Sequence, residues 1–208
     1  MFIDYVTLLL INMVCGLFVL AHFAFYGLDA PQGEPRRWWT AFGVTGLVAL
    51  VGGFHMVFTW PLPGPYNSAF GEMSVLFGAV YLGLGLALLA NVSLAPIGVY
   101  AFFAGLAAVV LGARIIDLGM TQSPNLSGIG FIATGLGGML LCLVLRLKSS
   151  KPARTMFAIL LVIAALIWSF TGYRALWGHM GLDSFRNWEP ATMQAPPASR
   201  LPSGESRP

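Results

Sequence analysis

The sequence predicts an all-α, polytopic membrane protein of six transmembrane helices with both termini outside, and three observations carry that reading. Of 208 residues, 57% are hydrophobic and 9% charged, where soluble domains carry roughly 25% charged residues. The mean hydropathy is +0.78. The apolar residues fall into six runs, each close to the roughly 20 residues that a hydrocarbon core of about 30 Å requires. Little is left for a soluble domain, so the chain divides into a membrane domain over residues 1–178 and a polar tail over 179–208.

No Lys or Arg precedes the first apolar run, so Met1 onward is expected to be the first span and not a cleavable leader. Helix 1 is expected over Ile3 to Tyr26, with His22 near its far end. The loop Gly27 to Arg37 carries Pro31, Gly33, Pro35 and the pair Arg36-Arg37. Helix 2 covers Trp38 to Trp60, with aromatics at both ends suited to the headgroup levels. Pro61, Pro63 and Pro65 stop it, because proline offers no amide and restricts the residue before it. Helix 3 follows from Ser68 to Asn91, helix 4 from Ile97 to Leu118, helix 5 from Gly128 to Leu147 and helix 6 from Thr155 to Trp177. Beyond it, Gly181 to Pro190 reads as a short amphipathic surface piece, and the Pro- and Ser-rich end from Pro190 as disordered.

Short loops rich in Lys and Arg stay in the cytoplasm. The turns after helices 1 and 5 hold Arg36, Arg37, Arg146, Lys148, Lys151 and Arg154, while those after helices 2 and 4 hold none. Both termini are therefore expected outside, although Arg174, Arg186, Arg200 and Arg207 lie in the C-terminal segment. The net charge of +3 is explained by headgroups and topology, and a nucleic-acid partner is rejected. The lipid bilayer is the partner that the composition demands. Small residues allow helices to approach closely in lipid; they recur at Ala104, Ala108 and Gly112 on helix 4 and at Gly130, Thr134 and Gly138 on helix 5.

Helix ends give depth at about 1.5 Å per residue. His55, Glu72, Arg114 and Asp117 all fall within roughly two turns of the outer face, and Asp4, Tyr5, Tyr173, Arg174 and His179 reach the same level. His22 belongs to the opposite face, too far from His55 to share a haem. Each residue has a plain explanation. Glu72 in a first turn is favoured by free amides and the helix dipole; Arg174 can snorkel; Asp117 pairs naturally with Arg114, three residues earlier. Their convergence argues further, because ionisable groups at membrane depth cost roughly 2.5 to 3.5 kcal/mol each and tend to mark function. His55, Glu72 and Asp117 would suit a divalent Zn, Fe or Mn ion. They would suit a proton relay or a small polar solute equally, or simply pair with one another. Cys15 and Cys142 each lie inside an apolar run, which excludes a thiolate site. The turn Pro61 to Asn67 is stiff through three fixed φ angles, and Gly64 allows its reversal.

The segment His55 to Trp60-Pro61, the Pro-Gly-Pro-Tyr-Asn turn at Pro63 to Asn67 and the pair Gly71-Glu72 resemble an uncharacterised family of prokaryotic integral membrane proteins, domain of unknown function 981. The resemblance covers the helical part and not the tail. It implies no activity and supplies no catalytic residues. The sequence has no Walker loop, dinucleotide glycine pattern, HExxH, CxxCH or Gly-x-Ser-x-Gly motif.

The reading is thus a multi-pass protein of the bacterial inner (plasma) membrane. Its outward-facing polar site would consist of His55, Glu72 and Asp117, with Arg114 pairing and Tyr66 and Asn67 lining the mouth. It would bind, pass or sense a small solute, proton or metal ion. Two rivals stand beside it: a membrane-embedded metalloenzyme or redox subunit using the same ligands, and a non-catalytic subunit that anchors a larger membrane complex.

Overall fold

The computed structural model describes residues 5–31 and 35–181. Asp4 and the tail from residue 182 onward lie outside the described residues. Six helices are long and apolar enough to cross a membrane: α1 (Tyr5–Gly27), α2 (Pro35–Thr59), α3 (Pro65–Ala90), α4 (Ala95–Asp117), α5 (Pro124–Arg146) and α6 (Lys151–His179). No strand occurs among the described residues. The all-α fold of six such helices agrees with the sequence reading, and the differences lie at the helix starts.

Those starts come earlier than expected because proline opens helices here as well as closing them. Pro65, Pro96, Pro124 and Pro152 sit at the first or second position of α3, α4, α5 and α6. The first turn has no internal acceptor for its amides, so a residue without one loses nothing there, and the fixed φ is already helical. Pro65 therefore begins α3 and is no stop for α2. Helix ends use the left-handed region: Trp60 (φ 47) and Asn91 (φ 55) cap α2 and α3. Gly64 takes φ 52 between them and reverses the chain.

Each helix packs mainly on its neighbours in sequence, and α6 returns to α1, so the six close into a ring. Two antiparallel pairs, α2–α3 and α4–α5, make the closest contacts, and α3–α4 makes the sparsest of any neighbouring pair. Glycine explains the difference. In lipid no hydrophobic force draws helices together, so close backbone approach has to supply the contact. A Cβ added to Gly53 would come 2.8 Å from the Val75 amide, and one on Gly78 2.7 Å from the Leu50 amide. In α4–α5 a Cβ on Gly112 would lie 2.6 Å from the Gly128 carbonyl, and Gly105 and Gly135 lie against each other's carbonyls more closely still. The third step of this seam sets Gly98 against Cys142.

The spacing corrects the four-residue stripes expected from sequence. Gly98, Gly105 and Gly112 recur every seven residues, and on α5 Gly128, Gly135 and Cys142 do the same. A seven-residue repeat holds one face toward a partner along the whole seam. Gly130 and Thr134 turn instead to α6: a Cβ on Gly130 would lie 2.9 Å from Trp168 Cζ2, and Trp168 Nε1 donates to Thr134 Oγ1 at 2.9 Å. Ala104 is half-buried and lines the ring's interior.

Replacing Gly105 by Leu is expected to lower stability by about 1–3 kcal/mol or more, because the facing atoms are backbone and cannot swing away. Gly178→Ala, where nothing lies within 4 Å, is expected to cause no loss. Unfolding midpoints of the detergent-solubilised proteins would check both.

Candidate functional site

The ring has two ends. The terminal end holds the start of α1, the end of α6 and the α2–α3 and α4–α5 turns; the Thr7 hydroxyl and His179 Nδ1 meet there at 3.5 Å. The basic end holds the other turns. The residues singled out from sequence do gather by height at the terminal end, since each lies at a helix end there.

They do not gather around the axis. His55 is exposed and its Nε2 is hydrogen-bonded to the Tyr5 hydroxyl at 2.9 Å. Arg114 and Asp117 pair with each other on one helix, with side chains 58% and 62% exposed. Glu72 is exposed at the end of the π-helical turn Ser68–Glu72. Among the described residues, no three His, Cys, Asp or Glu come together as a metal site would require. His55, Glu72 and Asp117 therefore do not form one ligand set. His55 has turned to Tyr5 of α1, Asp117 to Arg114 of its own helix and Glu72 to the exposed surface, because counting residues fixes the height of a side chain and not its direction.

Asn67 corrects a second expectation. It is fully buried and not at any mouth; its Nδ2 donates to the Met56 carbonyl at 2.8 Å, tying α3 to α2, while its Oδ1 is buried without a partner. Tyr66 is half-buried, and its hydroxyl accepts from the Thr121 amide at 3.3 Å. It links the α2–α3 turn to the α4–α5 turn. Both residues are struts of the terminal end.

At the basic end sequence reading missed a residue. Arg154, expected as a loop cation, is buried one turn inside α6. It donates through Nη1 to the Phe25 carbonyl at 2.9 Å and through Nη2 to Asp29 Oδ2 at 3.0 Å. Phe25 lies in the π-helical turn Phe23–Gly27 that ends α1, where carbonyls lack partners within the helix. Arg154 supplies one and clamps α6 to α1. The signal was present: Arg154, Phe157, Leu161, Ala164 and Trp168 are all buried on α6 and step by three or four residues, which places the arginine on the inward stripe.

Between the two ends, inside the ring, lies a cavity of about 70 Å³. Met13, Leu17, Phe77, Tyr81, Ala104 and Phe131 are among its walls, and no charged side chain lines it. α1, α3, α4, α5 and α6 all contribute; α2 does not. Two polar side chains reach its wall, Tyr81 and Thr134. Thr134 already accepts from Trp168. Tyr81 is buried, and its hydroxyl has no hydrogen-bond partner, a deficit that costs about 1–3 kcal/mol in a buried site.

Arg154→Met should destabilise the α1–α6 closure by about 1.5–3 kcal/mol, since it removes bonds to a charged group and leaves the Phe25 carbonyl unpaired. Asp29→Asn should cost less than about 1 kcal/mol, because that partner is 48% exposed. Denaturation in mild detergent would rank the two, and equal losses would contradict the clamp.

No curated protein and no solved structure matches the chain. A family model described as "Protein of unknown function (DUF981)" matches residues 1–181, all six helices included. The chain thus belongs to the DUF981 family of proteins of unknown function, as the hairpin between α2 and α3 had suggested.

Proposed function

We propose that this protein binds a small lipophilic molecule inside its ring of membrane helices. The observation that carries the reading is the cavity of about 70 Å³ walled by five of the six helices with no charged lining. Apolar cavities stay dry and take apolar guests. The α3–α4 seam offers a route from the bilayer. These helices meet near their turn, where a Cβ on Gly83 would lie 2.7 Å from Ile97 Cδ1, and their contact is sparse overall. Leu76, Phe77 and Ala104, from these two helices, line the cavity and are half-buried.

A second reading concerns the terminal end and rests on Glu72, an exposed carboxylate with no hydrogen bond or ion pair to another described residue. It stands at the end where His55 and Tyr5 are already joined across two helices. In this reading the end faces outward and takes a proton or a small polar solute. The basic turns support that orientation, since Arg36, Arg37, Lys148 and Lys151 are exposed at the opposite end and such residues are held in the cytoplasm. The bacterial inner membrane would be the location.

The cavity reading predicts that Ala104→Leu, which fills the space with three added carbons, raises the unfolding midpoint of delipidated protein and abolishes a co-purifying ligand. Mass spectrometry of extracts should find a lipophilic molecule near one per chain in the natural protein and less than a tenth of that in the variant. Identical extracts from both would sink the proposal. For the terminal end, a cysteine introduced as Glu72→Cys should react with a membrane-impermeant maleimide applied from outside intact cells. Reaction only after permeabilisation would place this end in the cytoplasm and remove the outward-facing site.

A further inference from the structure

We infer that the guest of the ring is the end of one unbranched hydrocarbon chain, lying along the helices near the middle of the bilayer and entering sideways from it. This rests on the reading of the cavity as a binding site and adds the class of ligand. The shape of the space is the reason. On α4 its wall is made by Ala101, Ala104, Gly105 and Ala108, residues with no more than a Cβ, so each touches the space where its own backbone stands. Ala101 and Ala108 are seven residues apart, which makes the space about 10 Å tall at about 1.5 Å per residue. The wall on α5 is longer still, from Phe131 to Leu141. An apolar cavity that takes a benzene ring measures about 150 Å³. Here about 70 Å³ is drawn out over that height, too thin for a ring and suited to methylenes in single file.

The column is stopped at both ends. Along α4, the positions that repeat every seven residues read Leu94, Ala101, Ala108 and Ile115, small within the column and large beyond it. Ile115 is fully buried, and Leu94 packs against the core. On α5, Thr134, Gly135 and Gly138 lie between Phe131 and Leu141 in the same way. A polar headgroup thus has no way in past either end, and no charged side chain waits inside to replace its hydration. The depth agrees. The first wall residues of α1 and α3, Met13 and Met73, each stand eight residues from the terminal end of their helix, about 12 Å in. That places the column in the middle of a hydrocarbon core of about 30 Å, where the methyl ends of lipid chains lie. The sparse α3–α4 seam borders it at that level with Leu76, Phe77 and Ala104. A chain end can pass there while its polar end stays among the headgroups. A sterol or a methyl-branched isoprenoid is too wide for the same space.

The experiment compares three hydrocarbons of equal carbon number and different shape, n-octane, isooctane and cyclooctane, by the thermal unfolding midpoint of the whole chain. The protein is held in a steroid-based detergent, which brings no linear chain of its own, and the probes are added at equal mole fraction. Binding to the native state raises the midpoint. At about ten times its dissociation constant, n-octane is expected to raise it by about 3–6 °C, and the branched and cyclic probes by less than a third of that. Ala104→Leu and Ala108→Leu each block the column and should lose the n-octane shift; the second serves if the first does not fold, and the comparison of shapes in the natural protein decides without either. An equal or larger shift from cyclooctane or isooctane would overturn the chain and leave the cavity as a plain apolar site. No shift from any probe in the natural protein, or an n-octane shift that survives in a folded variant, would overturn this inference and the binding reading beneath it. Mass spectrometry of the co-purifying extract separates the two sources of such a chain. Free fatty acid near one per protein assigns a detached chain, and phospholipid assigns one still on its bilayer lipid. A ring or isoprenoid compound near one per protein would overturn the inference while the binding reading stands.

Discussion

The structure depends on backbone meeting backbone. In water, burying apolar side chains would hold these helices together, but lipid tails are as apolar as leucine and that force is absent. What remains is packing, and packing is strongest where nothing stands between two helices. At Gly105, Gly112 and Gly135 the nearest atoms across the seam are main-chain atoms. Gly53 and Gly78 do the same for α2 and α3. Because the glycines of α4 recur every seven residues, the two helices keep facing each other for their full length, and each pair behaves as one stiff unit.

Two stiff pairs and two single helices then have to close a ring, and the closure cannot be equally tight everywhere. The α3–α4 seam joins the two pairs and is the sparsest in the molecule. On the opposite side, α1 and α6 are held by specific bonds: Arg154 to the Phe25 carbonyl and Asp29 at one end, Thr7 to His179 at the other. The cavity follows from this inequality. Glycines on α4 and α5 that face each other withdraw volume from the interior, and alanines at 101, 104 and 108 leave the α4 wall shallow. Large side chains from α1 and α3, such as Leu17 and Phe77, approach it without filling it.

Much of this was legible in the amino-acid order. Six spans, their approximate ends and the sharp reversal at Gly64 follow from apolar runs and proline chemistry. So does the Arg114–Asp117 pair. What height could not give was direction. His55, Glu72 and Asp117 share an end of the bundle, yet a helix turns about 100° per residue, and an error of one position in a helix start sends a side chain toward lipid instead of the axis. Four starts were misplaced because prolines 65, 96, 124 and 152 open helices, whereas proline was used in the sequence reading only to stop helix 2. Arg154 was misread for a different reason. Basic residues in a turn ordinarily set topology, and this one was classed with its neighbours although its phase with Phe157 and Leu161 marks it as inward-facing. Asn67 lay in a polar turn and was expected at a mouth; the hairpin instead used its amide to hold the Met56 carbonyl.

The separation of the polar end from the apolar interior bears on what kind of membrane protein this is. A conducting pathway has to offer an ion or a proton a succession of polar partners, because each step without one costs the hydration that the ion has given up. At the terminal end such partners exist, but below them the interior presents Met13, Leu17, Phe77 and Phe131. The two hydroxyls at that depth belong to Tyr81 and Thr134, and one of them is already committed to Trp168. A hydrated ion entering the ring would meet carbon on nearly every side. A molecule that is itself mostly carbon meets the same walls at no loss, and it can arrive through the loosest seam without crossing either polar end. The arrangement of the ring thus favours a receptacle loaded from the bilayer over a channel through it.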